Sequence, residues 1–215
     1  MAKAPGLEPV KSRLHVSLSP ERATMLYECF LLDRLDALAA VSGIDPFLAF
    51  TPPEGRALLA AIAPPVFRLV AQRGADLGER LANVLAELVG RGHPGAMAID
   101  SDSPTLPMAY VVEAASILEH GVADVVLGPC EDGGYYLVGT RVPQSSLFQG
   151  IPWSTERVLA ATLDKARGRG LRVHLLPPWF DVDTEADLRR LRSEMVRKGS
   201  GPPRTFSFLA DRCPE

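Results

Sequence analysis

This sequence predicts an α/β fold: a three-layer α/β/α arrangement with a mostly parallel, mixed central sheet covered by helices on both faces. Two observations carry the prediction. Short runs rich in Val, Leu and Ala alternate with longer segments of helical period, and strands covered on both faces read as such nearly continuous apolar runs. Acidic loops recur just beyond those runs, and open parallel sheets bind ligands at the carboxyl ends of their strands.

The elements follow in order. After an N-terminal loop, SPERATMLYECFLLDRLDALAAV offers Ser19 as a cap, Pro20 at the first helical position, and apolar residues at Leu26, Phe30, Leu31, Leu35 and Leu38. PFLAFT reads as a strand, EGRALLAAI as a helix, VFRLVAQ as a strand, and DLGERLANVLAELVGRG as a helix closed by glycine. AMAID is a strand and PMAYVVEAASILEHG a helix with Gly121 past its end. ADVVLGP and GYYLVGT are two strands separated only by CEDG. The helix STERVLAATLDKARGRG, the strand LRVHLLP and the helix TEADLRRLRSEMVRKG complete the alternation. The last helix pairs Thr184 with Asp187 at capping-box spacing. One domain is expected over residues 1–198, with an irregular tail over 199–215.

Composition narrows the function. A net charge of -3 offers no basic face for a phosphate backbone, so small molecules rather than nucleic acid are the expected partners. Cys29, Cys130 and Cys213 are odd in number and widely spaced, which suggests neither a disulfide framework nor a zinc knuckle. No apolar run is long enough to span a membrane, and MAKAPGLEPVKSRL lacks the apolar core of a signal peptide; the reading is cytoplasmic, with no membrane partner. His15, His93, His120 and His174 are scattered, so zinc and triad chemistry are unsupported.

The chemistry sits in the loops. Asp100-Ser101-Asp102 follows a strand, Glu131 and Asp132 precede the Gly133-Gly134 pair, and Asp181 and Asp183 end the last strand. Taken singly, each has a plain reading: an aspartate turn, a hairpin turn, a helix cap. Together, three acid-bearing loops at one end of a sheet suit a hard divalent cation, Mg2+ or Mn2+, which takes one or two protein carboxylates along with substrate phosphates. The first loop supplies positive charge through Lys3, Lys11 and Arg13 without the spacing of a P-loop. Trp153, Ser154 and Thr155 read as a capped helix start, or as the lining of an acceptor pocket.

In order and spacing, AKAPGLEPVKSRL, LAFTPPE, QRGADLGERLANV, IDSDSPTLP, ADVVLGPCEDGGYYLVG, GIPWSTERVLAATL and LPPWFDVDTEADLRRL resemble the bacterial DUF2064 family over about residues 2–192. Its members are usually described as glycosyltransferases of the GT-A type, one branch being associated with arsenosugar biosynthesis. The family is more distantly similar to phospholactate and molybdenum-cofactor guanylyltransferases. The resemblance implies a nucleotide-diphospho-sugar transferase fold with its nucleotide pocket at the first loop. Lys11 and Arg13 match the family's phosphate-facing residues, with Ser12 replacing threonine. Asp102 matches the metal-binding aspartate, Asp183 a late aspartate that completes the metal site, and Asp132, Gly133 and Gly134 a segment near the donor sugar or acceptor. Asp100 stands where the family more usually has glycine, which leaves it a nucleotide-side role toward the ribose or a metal-bound water.

The expected activity is metal-dependent transfer of a glycosyl group from a nucleotide-diphosphate sugar to a small-molecule acceptor, with Asp132 and Glu131 as candidate bases. The alternatives are nucleotidyl transfer from an NTP with release of pyrophosphate, and a non-catalytic nucleotide-binding remnant. The family also carries an apolar strand before the Ala-Lys-Ala-Pro loop, where Met1 stands here. The first strand is therefore expected to be lacking, with either an upstream start or a remnant as the explanation. The uncovered sheet edge left behind would favour a homodimer.

Overall fold

The computed structural model describes residues 1–210. Cys213 and the end of the expected tail lie outside them. In chain order the elements are β1 (Ala2–Lys3), α1 (Pro20–Ala39), β2 (Phe47–Thr51), α2 (Arg56–Ile62), β3 (Arg68–Ala71), α3 (Leu77–Gly90), β4 (Ala96–Ile99), α4 (Met108–Glu119), β5 (Val125–Pro129), β6 (Tyr135–Thr140), α5 (Val158–Arg167), β7 (Val173–Leu175), α6 (Glu185–Lys198) and α7 (Pro203–Ala210). Two compact units divide the chain. The first takes Met1–Leu69, Ser101–Leu106 and Asp181–Glu215; the second takes Val70–Asp100 and Pro107–Phe180.

The first unit holds β1, β2 and the start of β3, strands that follow one another in the sheet β1-β2-β3. The first strand, expected to be lacking, is present as the two residues Ala2 and Lys3, paired in parallel with β2 through Ala2 opposite Phe50 and Lys3 opposite Thr51. Helix α1 begins where the sequence says it should, because the Ser19 hydroxyl accepts from the Arg22 amide and Pro20 needs no amide partner. Its inner face buries Leu26, Tyr27, Phe30, Leu31 and Leu35. Helix α6 starts with the capping box anticipated from Thr184 and Asp187 and ends at Gly199 with φ 63, the left-handed conformation that suits glycine.

The second unit holds the mixed sheet β4-β6-β5-β7, in which β6 runs antiparallel to both neighbours and β7 parallel to β5. Val125, Val126, Leu127, Leu137 and Val138 form its core with Leu85 of α3 and Val111 of α4. Gly128 is required here because the Tyr136 ring lies where its Cβ would be.

Two further expectations are corrected. The tail from residue 199 is not irregular throughout, since Pro203–Ala210 form α7, whose first-turn amides are capped by Asp33 of α1. A cap supplied by a residue so distant in sequence cannot be read locally. Nor do Ser154 and Thr155 start a capped helix: Ser154 has φ 63, and α5 begins at Val158 with no side-chain cap. Among the described residues, no helix is long and apolar enough to cross a membrane.

Candidate functional site

In the first unit the chain turns sharply at Lys11, a non-glycine residue with φ 50, and continues into a 3₁₀ turn over Ser12–Val16. Leu14 in that turn is fully buried and anchors it, so the backbone delivers the Lys11 side chain inward. The Lys11 Nζ lies 2.5 Å from Asp102 Oδ1 and 3.0 Å from Asp183 Oδ1, and its side chain is only 3% exposed. The Phe30 ring stands 5.7 Å from the ammonium. Burial alone would lower the Lys11 pKa, but the Asp102 and Asp183 carboxylates more than reverse this, so Lys11 stays charged well into alkali. Because its folded pKa is raised, its stabilising contribution is fully present at neutral pH and is lost only as the pH rises through that value.

The two carboxylates arrive from different loops, fastened by the Val182 amide donating to the Asp102 carbonyl at 3.0 Å. Asp183 is free of the capping duty its position suggested. Thr184 is the N-cap and Asp187 closes the box, which leaves the Asp183 carboxylate to Lys11 and, at 3.8 Å, to Arg13. The Arg13 side chain is 64% exposed, a cation presented to solvent beside the pair. Lys3 does not join them: its ammonium donates to the Pro9 carbonyl at 3.3 Å.

Tyr27 holds this region together and was not singled out from the sequence. The Lys3 amide donates to its hydroxyl at 2.9 Å, and the hydroxyl reaches the Lys3 carbonyl and Ser101 Oγ at 3.2 Å each. It thereby ties β1 to the segment carrying Asp102. Burial, reinforced by the Asp102 charge, pushes its pKa up to about 12, so it remains a neutral donor. The available signal was its place on the buried face of α1, between Leu26 and Phe30, where a phenol must find a partner. Tyr27→Phe should cost about 1 to 2 kcal/mol, since it takes a partner from the Lys3 backbone and from the buried Ser101 hydroxyl. Urea unfolding measures it, and a loss below about 0.5 kcal/mol would show the bridge to be dispensable.

The remaining candidates lie in the second unit. The Asp100 amide donates to the Tyr136 carbonyl at 2.9 Å at the end of β4. Asp132 makes the turn between β5 and β6, its carboxylate accepting from the Gly134 amide at 2.8 Å, while Gly133 donates to the Cys130 carbonyl. The hairpin reading therefore holds for this segment. Gly133 has φ 90, and the Glu156 carbonyl occupies the place of a Cβ, so glycine is needed on both counts. The Gly133 carbonyl in turn accepts from the Leu159 amide at 2.9 Å, seating the start of α5. Glu131 and Asp132 are exposed.

Trp153 packs edge-on against Tyr135 at 6.3 Å, and its Nε1 lies 2.8 Å from where a Gly78 Cβ would sit, so its indole covers the first turn of α3. Thr155 donates to the Pro152 carbonyl at 2.7 Å and accepts from the Arg157 amide. Both residues brace a loop. Of the sequence candidates, Lys11, Arg13, Asp102 and Asp183 converge in the first unit, while Asp100, Glu131, Asp132, Gly133, Gly134, Trp153, Ser154 and Thr155 belong to the second.

Two carboxylates directed at one point suit a hard divalent cation, which favours oxygen ligands and accepts a site with few protein carboxylates when phosphates complete it. The residues present fit such an ion.

DUF2064, a family described as an uncharacterized protein conserved in bacteria, matches residues 34–155, more than half of the chain. The chain belongs to the DUF2064 family. This DUF2064 protein is 33% identical to a candidate nucleotide-diphospho-sugar transferase from Desulfovibrio desulfuricans G20, over 97% of this chain and 90% of that one, with a TM-score of 0.87. It is similar in fold to a CMP:2-keto-3-deoxy-manno-octonic acid synthetase complexed with CTP, at 14% identity, 92% and 96% coverage, and a TM-score of 0.54. A molybdopterin-guanine dinucleotide biosynthesis protein A from Archaeoglobus fulgidus gives 13% identity, 91% and 97% coverage, and a TM-score of 0.52. No curated protein matches the chain. The nucleotide-diphospho-sugar transferase fold expected from the sequence is thus the fold of this DUF2064 protein.

Proposed function

We propose that this protein is a metal-dependent glycosyltransferase that takes a sugar from a nucleotide-diphosphate donor. One observation carries the reading: Asp102 and Asp183 converge on Lys11 with the exposed guanidinium of Arg13 alongside. A diphosphate with a divalent cation needs this mixture, acids for the ion and cations for the phosphate oxygens. The relative from Desulfovibrio desulfuricans G20 supports the donor class.

Asp102 and Asp183 would hold Mg2+ or Mn2+, which when bound supplies positive charge where the departing diphosphate develops negative charge. Arg13, open to solvent, takes phosphate oxygens directly, and Lys11 adds a second cation. In the transfer itself the bond between the anomeric carbon and the diphosphate oxygen breaks. A bond to an acceptor oxygen forms, and the acceptor proton passes to a base or to water.

Likeness to a synthetase complexed with CTP keeps nucleotidyl transfer as the second reading, since the same acids and cations suit an NTP. The products separate the two. Incubation with panels of nucleotide-diphosphate sugars and NTPs in Mn2+ should release a nucleoside diphosphate from the former, and EDTA should stop it. Pyrophosphate from an NTP would instead establish nucleotidyl transfer, and binding without turnover of either panel would make the protein a nucleotide-binding remnant.

A further inference from the structure

Lys11 faces two demands. The proposed function assigns its ammonium to the diphosphate, yet in the structure that ammonium is held by the two carboxylates assigned to the metal. We infer that Lys11 is a tethered counter-ion, which keeps Asp102 and Asp183 together in the ligand-free protein and releases them to a divalent cation when a diphosphate takes over its ammonium. This inference rests on the proposed function for the identity of the metal ligands.

Three features support it. First, the two carboxylates lie within 3.0 Å of one nitrogen, so close that their mutual repulsion calls for a cation between them. Second, Lys11 is placed by backbone rather than by side-chain freedom. Its left-handed conformation is held by the following turn, in which the Leu14 amide donates to the Lys11 carbonyl at 2.8 Å and Leu14 itself is fully buried. Third, the access is unequal: the Lys11 side chain is 3% exposed while those of Asp102 and Asp183 are 36% and 38% exposed. An ion arriving from solvent reaches the carboxylates but meets an ammonium already on them.

A divalent ion beside that ammonium suffers like-charge repulsion unless phosphate oxygens neutralise one of the two. Metal alone should therefore bind weakly, and metal with diphosphate should bind together. By linkage, the advantage the diphosphate gives to the metal equals the advantage the metal gives to the diphosphate. The same tethered charge also spares the free protein an unpaired acidic cluster at the mouth of its first loop.

The experiment compares wild type, Lys11→Met and Lys11→Arg, reading bound Mn2+ by electron paramagnetic resonance, alone and with each of ADP, CDP, GDP and UDP. Circular dichroism confirms folding. Lys11→Met should bind Mn2+ alone at least about tenfold more tightly than wild type, because the competing charge is gone. Lys11→Arg, which keeps the charge, should bind it as weakly as wild type. Folded Lys11→Met that binds Mn2+ no more tightly than wild type would overturn the inference. So would wild type that binds Mn2+ alone as tightly as it does with a diphosphate, an outcome that needs no variant. Wild type that binds Mn2+ under none of these conditions would overturn the proposed function itself.

Discussion

Asp102→Ala should abolish Mn2+-dependent nucleotide binding, with the apparent affinity falling by two orders of magnitude or more, about 3 kcal/mol. A site with so few protein carboxylates cannot lose one and still neutralise the ion, and Asp183 alone would have to hold it. The substitution also leaves a buried ammonium with one partner in place of two. Breaking a fully buried pair costs about 3 to 5 kcal/mol, but the Asp102 side chain is 36% exposed, so a loss of about 2 kcal/mol in folding stability is expected. Asp102→Asn keeps the shape and one acceptor oxygen; it should recover most of the stability and little of the metal binding. Calorimetry with and without Mn2+, next to urea unfolding of the same samples, checks both. Full retention of Mn2+-dependent affinity in Asp102→Ala would remove this residue from the metal site.

The split between those effects shows what was legible in the sequence. Helix starts were, because caps are local: Ser19 with Pro20, and Thr184 with Asp187, act within a few residues of themselves. So was the hairpin at Asp132-Gly133-Gly134, where positive φ and an aspartate turn need no distant partner. The acidic loops were legible as positions but not as a pairing. Nothing local says that Asp183 turns to a lysine at the other end of the chain. Trp153 was misleading for the same reason, since its fate was set by Gly78, a small residue far upstream that gives the indole room. Tyr27, Asp33 and Arg34 sit on a helix whose apolar face was read correctly, but their polar groups bond to segments that only the fold brings near.

Asp33→Ala should destabilise the protein by about 3 kcal/mol and release α7 from α1 before the rest unfolds. The Asp33 side chain is 1% exposed, and its two oxygens are fully engaged. One accepts from the Thr205 amide at 2.8 Å, the other from the Arg204 amide at 3.1 Å and more weakly from the Arg204 guanidinium at 3.4 Å. These amides belong to the first turn of α7, where a helix has donors with no partner of its own, and Pro203 just before them removes a further donor. Each hydrogen bond to a charged group contributes about 1.5 to 3 kcal/mol, and the Thr205 amide is buried, so water cannot replace the acceptor at no cost. Part of the docking survives: Arg204 still reaches Asp36 at 2.6 Å, Arg22 still stacks on Phe208 at 5.0 Å, and Leu209 remains an apolar contact. The loss should therefore be partial, with α7 fraying from its N-terminus. Amide hydrogen exchange should show residues 204–210 opening faster in Asp33→Ala by the factor that matches the urea-derived loss, with Asp33→Asn in between because it retains one acceptor oxygen. Unchanged exchange in α7, with a stability loss below about 0.5 kcal/mol, would mean that apolar packing alone holds the helix and that the long-range cap adds nothing.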